Sequence, residues 1–234
     1  VAPLANLNYE LALPCIERGV HVMMEKPPGL TSQETQHLQE TADRTGSKVL
    51  VGWNRRFHPV IVQARSLILE RGPIIQLVGE FHKNVRQEEL RLADTMMDRL
   101  LLETPIHAVD TIRYLAGSDV KEVHSIVRRV TSEYRDVHAA LIEFENGVVA
   151  QLTHNYTAGG RLERYEIHGQ DISAYMEGVS GGQIVADGET TEIVKGPTAD
   201  AEEQNRYFID CVRNDKPIEL PAANLVEAVK TMEL

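Results

Sequence analysis

Between residues 8 and 53 the chain alternates helix and strand patterns with almost no linker between them. NYELALPCIERG sets Tyr9, Ala12, Leu13 and Ile16 on one helical face, with Gly19 as its stop, while Pro14 inside it predicts a kink. VHVMM then reads as a short buried strand. TSQE follows as a capping box, with Thr31 as the cap and Glu34 three residues on, and opens a helix ending near Gly46. KVLVGW is a second buried strand. Strands joined through a helix run parallel, because a tight hairpin cannot connect them. The segment therefore predicts part of a doubly wound α/β layer, whose ligands bind beyond the carboxyl ends of the strands. Lys26 follows the first strand, and Asn54, Arg55 and Arg56 follow the second.

Past Arg56 the rhythm changes. Pro59 to Arg71 reads as a helix closed by Gly72-Pro73, IIQLVGEFH as a strand, and residues 105 to 116 as a helix. EVHSIVRRV and VHAALIEFENGVVAQLTHNY are strand candidates, the second broken by the hairpin turn Asn146-Gly147. RYEIHGQDISAYMEG and QIVADGETTEIV follow, with Asp187-Gly188 as a further turn. Helices resume near Asp200 and near Ala222. The expected fold is α/β plus α+β: half of a Rossmann-type domain over residues 1–56, then a large, mostly antiparallel open sheet with helices on one face over 57–234. Gly159-Gly160 and Gly181-Gly182 read as turns, since no helix pattern follows either to make a phosphate cradle.

Composition excludes some classes of function. A net charge of −11 over 234 residues lacks the basic surface that nucleic acid requires. No apolar run is long enough to span a bilayer. Cys15 and Cys211 lie far apart with no metal-like spacing, and read as buried free thiols of a reducing compartment, the cytoplasm. The chain opens on Val1 and stops within a helical pattern, NLVEAVKTMEL, so both ends are expected to be cut from a longer protein.

Two stretches hold candidate chemistry. In HVMMEKPPGL, Pro27 restricts Lys26 to extended backbone, which would hold an ammonium in one place; a solvated loop lysine is the plain alternative. In LLLETPIHAVDTIRYLAG, Thr104 is the expected cap, Pro105 the first helical residue, and Leu102, Ile106, Val109, Ile112 and Ala116 the apolar face. His107, Asp110 and Tyr114 share another face, with Glu103 just before the helix. A histidine flanked by carboxylates suits general acid/base work, and a solvated face with incidental ion pairs is the other reading. Metal ligation by His107, Asp110 and Glu103 is weaker, because His82, His124, His138, His154 and His168 all fall in strand patterns and complete no ligand motif. Arg55-Arg56 is either plain surface or includes an arginine that meets an anionic group, and Arg161 and Arg164 make a similar, weaker claim.

YELALPCIERGVHVMMEKP, VGWNRRFHP and ETPIHAVDTIRYLAG together resemble the glucose-fructose oxidoreductase / inositol dehydrogenase / MocA family of nicotinamide-dependent oxidoreductases, over nearly the whole chain. The resemblance implies NAD or NADP as cofactor, a sugar or cyclitol substrate, and a homo-oligomer formed through the open sheet face. It gives Lys26 the reacting hydroxyl and His107 the hydroxyl proton. Glu103 would hold substrate and histidine in place, with Asp110 also in the pocket. Pro3, Glu25, Lys26, Pro27 and Arg55 are implied on the cofactor side. A non-catalytic dinucleotide or sugar sensor on the same fold is the rival reading. Three departures stand out: Glu103 where Asp is common, Asn8 where the family often has a histidine that could meet ribose or nicotinamide, and the lack of any G-x-G-x-x-G. The last leads us to expect weak or no NAD(P) binding by these residues alone.

Overall fold

The computed structural model describes residues 7–84, 100–131, 134–194 and 200–234, with backbone alone at 100, 103 and 194. The chain divides into two compact units: Val1–Phe57 with Thr198–Leu234, and His58–Pro197. The division differs from 1–56 and 57–234, because the C-terminal stretch belongs with the N-terminal one.

In the first unit, α1 (Asn8–Ile16), β1 (Val22–Met24), α2 (Ser32–Thr45) and β2 (Val49–Val51) alternate as expected, and β1 pairs parallel with β2, Val22 opposite Val49 and Met24 opposite Val51. Thr31 Oγ1 accepts from the Glu34 N–H at 3.1 Å, and Glu34 reaches back to the Leu30 N–H at 2.6 Å, one residue earlier than in the usual capping box. Gly46 ends α2 in the left-handed region. After β2 a short 3-10 turn runs from Asn54 to Phe57. The two C-terminal helices, which we label α6 (Asp200–Arg213) and α7 (Leu225–Glu233), complete this unit. An isolated bridge joins Val51 to Ala223, and Leu50, Phe57, Cys211, Ile218 and Ala222 form one apolar cluster. A three-residue strand pair has too little surface to bury itself, so distant sequence is recruited to cover it. Cys211 is buried, but Cys15 is only partly so, contrary to expectation; both are free.

The second unit begins with α3 (Pro59–Arg71), capped by His58, whose Nδ1 accepts from the Val60 N–H. Its sheet has eight strands: β3 (Ile74–Asn84), β4 (Val120–Arg128), β5 (Val137–Phe144), β6 (Val149–Asn155), β7 (Thr157–Gly169), β8 (Ile172–Glu177), β9 (Gly181–Ala186) and β10 (Glu189–Val194). They lie in the order β10-β9-β8-β7-β3-β6-β5-β4, and among the described residues of this sheet only β3 and β6 pair in parallel. The glycine pairs 159-160 and 181-182 lie inside β7 and β9 rather than in turns. At Gly182 the reason is steric: a Cβ there would meet the Tyr175 carbonyl oxygen at 2.5 Å.

Between β3 and β4 come a helical turn, α4 (Leu100–Glu103), and α5 (Ile106–Ala116), which ends at the left-handed Gly117. Alternation places Leu77, Phe81, Ile142, Leu152, Ile167 and Met176 on the buried sheet face. Both α3 and α5 cover that face: Ile68 lies against Gly169, and Ile112 against Gly79 and Leu152. A Cβ at Gly79 would come within 3.1 Å of Ile112 on α5 and 2.8 Å of Leu152, so the glycine is what lets α5 approach. No helix among the described residues is long and apolar enough to cross a membrane.

Candidate active site

The sequence candidates divide between the two units. In the first, Lys26 sits in a turn just beyond β1, and its peptide bond to Pro27 is cis. The lysine is partly exposed, while Pro27, Pro28 and Gly29 are buried. Donors from other elements hold the backbone of this turn. The Gly52 N–H reaches the Met24 carbonyl at 2.8 Å, and Asn8 Nδ2 donates to the carbonyls of Glu25 (3.1 Å) and Pro27 (2.8 Å). Gly52 lies so close that a Cβ would meet the Met24 oxygen at 3.2 Å. Further along, a Cβ on Gly29 would stand 2.7 Å from that of Glu34. Proline supplies no N–H, so a turn rich in it takes its hydrogen bonds from elsewhere.

Arg55 and Arg56 do not form plain surface. Arg55 Nη1 lies 3.7 Å from the Asp200 carboxylate and 3.3 Å from Asn54 Oδ1, and Asn54 also donates to Asp200 at 2.8 Å. Arg56 is fully buried and meets Glu227 at 3.3 Å. Both carboxylates come from the C-terminal stretch, so the anionic groups these arginines meet are internal. Pro3 lies outside the described residues.

In the second unit, Glu103 closes α4, its side chain lying outside the described residues, and His107 and Asp110 follow one turn apart on α5. The helix begins one residue later than expected. Pro105 occupies the cap position without a side-chain hydrogen bond, and Thr104 contributes its carbonyl to the His107 N–H at 3.1 Å. A proline in that place leaves no N–H to satisfy. Every residue from Ile106 to Ala116 is buried, His107, Asp110 and Arg113 included. The reading of a solvated polar face is thereby overturned: the polar residues of this helix lie inside the protein. Thr111 Oγ1 donates to the His107 carbonyl at 2.6 Å, and Arg65 lies over the Tyr114 ring at 5.1 Å. At the helix end Asn146 Nδ2 donates to the Ala116 carbonyl at 3.0 Å. α5 thus runs back along β3 and β6, and its first turn, carrying His107, lies toward the strand ends that bear Phe81, His82 and His154.

Those strand ends hold a group that sequence reasoning passed over. His154 is 3% exposed, with its ring centroid 6.3 Å from that of Phe81 and 6.2 Å from that of His138, which in turn stands 6.2 Å from Tyr156. Burial, followed by the nearby His138 and His82, pushes the His154 imidazole down to about 3, and its Nε2 has no hydrogen-bond partner. Burial lowers His138 as well, with Arg135 adding to the effect. The signal was available: His138 is in phase with Ile142, and His154 with Leu152, on the buried face. Among the described residues no cluster of histidine, cysteine or carboxylate side chains has the geometry of a metal site.

Comparison with known proteins places this arrangement. Residues 1–53 match the family description "Oxidoreductase family, NAD-binding Rossmann fold", and residues 62–175 match "GFO/IDH/MocA C-terminal domain". The chain belongs to the Gfo/Idh/MocA family of oxidoreductases. Among curated relatives, the scyllo-inositol 2-dehydrogenase (NADP(+)) of Bacillus subtilis is 26% identical over 76% of this chain and 51% of the relative. The scyllo-inositol 2-dehydrogenase (NAD(+)) of the same organism is 24% identical over 98% of this chain and 70% of the relative. Among solved structures, the UDP-N-acetylglucosamine 3-dehydrogenase of Acidithiobacillus ferrooxidans superposes with a TM-score of 0.85 at 18% identity, covering 100% of this chain and 74% of that one. The chain thus spans between about half and three quarters of the length of these relatives.

Proposed function

We propose that the protein is an NAD(P)-dependent oxidoreductase that moves hydride between the nicotinamide and a secondary alcohol, or the matching ketone, of a sugar or cyclitol. The observation that carries this reading is a lysine on a hydrogen-bonded turn beyond two parallel strands, in a family member whose α5 buries a His-x-x-Asp pair. The carboxyl ends of β1 and β2 suit the nicotinamide end of the cofactor, with Glu25, Lys26, Pro27 and Arg55 there to hold it. Pro3 would join them. No G-x-G-x-x-G occurs among these 234 residues to cradle the pyrophosphate.

The bound nicotinamide supplies the acceptor or donor of hydride. The protein's own residues do the rest. The hydroxyl must lose its proton as the carbinol carbon loses hydride, and His107 is the base that takes it. The Lys26 ammonium is suited to stabilise negative charge building on a substrate oxygen. Glu103 and Asp110 hold the histidine and the substrate hydroxyls. In the cytoplasm, where we place the protein, small polyols are the substrates. We also assign the sheet face opposite α3 and α5 to a second copy of the chain, since Ile126, Leu141 and Val149 are 57%, 56% and 48% exposed there.

The test is turnover by the complete protein. NAD(P)H absorbance should change in the presence of at least one member of a panel of inositols and aldoses. Lys26→Ala and His107→Ala should each lower kcat by roughly a hundredfold or more. Tight NAD(P)H binding with no turnover across the panel would favour a sensor instead, and full activity in Lys26→Ala would refute the assignment of the lysine.

A further inference from the structure

We infer that Asn8 is the positioning residue for Lys26: its amide grips the carbonyls of the residues on either side of the lysine. The inference rests on the reading of Lys26 as the group that meets the substrate oxygen. It gives Asn8 a structural role at the position where this chain departs from the family resemblance.

Asn8 is fully buried at the start of α1. Its Nδ2 carries two N–H bonds that diverge in the amide plane, and each has its own acceptor, Glu25 O at 3.1 Å and Pro27 O at 2.8 Å. One rigid group thereby spans the Glu-Lys-Pro tripeptide. The backbone of the residue between the two gripped carbonyls cannot turn about φ or ψ without breaking one of them, which fixes the direction in which the Lys26 side chain leaves the chain. The anchor is itself held, since Ser47 Oγ donates to the Ile16 carbonyl at the far end of α1, and Tyr9 pairs with His37 of α2 at 2.6 Å. The turn has few donors of its own, Pro27 and Pro28 having none, so the amide supplies what the local backbone lacks. The bond to the Pro27 carbonyl is buried, and leaving that oxygen without a donor is costly, which favours the bridged conformation.

A second copy of the interaction would not be equivalent in other side chains. Leucine matches the shape of asparagine but donates nothing. Histidine offers at most one ring N–H toward this side, enough for one carbonyl. These differences set the experiment, run on the complete protein with whichever polyol it turns over. Asn8→Leu should lower kcat roughly ten- to hundredfold, because a shift of about 1 Å in a reacting group has that effect. The Kd for NAD(P)H should rise by a smaller factor than kcat falls, since the same turn also lies on the cofactor side, and Asn8→His should keep most of the rate. In a Lys26→Ala background the Asn8→Leu loss should vanish, since a residue acting through the lysine has nothing left to position.

Unchanged kcat in Asn8→Leu overturns the inference, and so does a loss that carries undiminished into Lys26→Ala. If Asn8→Leu does not fold, Asn8→His takes its place: a partial loss that disappears without Lys26 supports positioning, and one that persists, or no loss at all, refutes it. Full activity in Lys26→Ala alone is a different failure, that of the lysine reading itself.

Discussion

The turn at residues 24–30 and the helix at 106–116 both hold a candidate functional group, by opposite means. The turn has no repeating hydrogen-bond pattern. Donors from three places, the Gly52 N–H, the Asn8 amide and the Leu30 N–H paired with Glu34, tie it down one group at a time. The helix satisfies its own backbone, and packing fixes its position, with all eleven residues from Ile106 to Ala116 buried and Ile112 seated on Gly79 and Leu152. A loop is therefore vulnerable at single polar atoms, and a buried helix at the volumes of its neighbours. Polar residues on the helix carry a further consequence. His107, Asp110 and Arg113 are held out of water by the same packing, so their electrostatics are stronger than on an exposed helix.

Three changes would break or sharpen that contrast. The largest effect is expected from Ile112→Ala, which removes the fully buried side chain between α5 and the sheet. A truncation of that kind costs about 3 kcal/mol, and denaturant unfolding would measure it. The outcome that defeats the packing account is a loss no greater than that of an exposed isoleucine.

Next comes His154→Leu, compared with the parent at two pH values. His154 has a folded-state pKa of about 3, below the ordinary 6.5, so the folded protein keeps it neutral while the unfolded chain takes up a proton. Stability is thus complete above about pH 6.5 and falls as pH drops toward 3, since the proton binds the unfolded state better. At pH 4.5 the parent should have lost about 2–3 kcal/mol from this group, and the leucine variant should not show that loss. Identical acid dependence in the two proteins would remove His154 from the account. Asp136, also lowered, acts in the same sense but over a lower pH range. Burial raises its pKa, but hydrogen bonds from the Thr131 and Val130 N–H groups and the Thr131 hydroxyl bring it to about 2, so its stabilisation holds above pH 3.8 and is lost toward pH 2.

The smallest effect is expected in the turn. Gly29→Ala drives a methyl to 2.7 Å from the Glu34 Cβ and loosens the bond from Leu30 to that carboxylate, at a cost of about 1–2 kcal/mol. Thermal unfolding would register it. A midpoint equal to that of the parent would mean that the turn yields freely, contrary to its hydrogen bonds.

Local periodicity and turn chemistry made most of the fold legible in the sequence. The helix-strand alternation before residue 53, the Thr31–Glu34 cap, the hairpin at Asn146-Gly147 and the histidine helix all follow from neighbours a few residues apart, and they stand in the structure. The family resemblance rested on the same short stretches. What only the tertiary structure decided are pairings across long separations. The C-terminal helices joining the first unit, Arg55 meeting Asp200, Arg56 meeting Glu227, and Asn8 reaching the carbonyls of Glu25 and Pro27 are of this kind. A periodic pattern reports which face of an element is apolar, but not which distant polar atom will meet a buried donor. That depends on how the packed elements bring unsatisfied groups together, and no single stretch of chain contains the information.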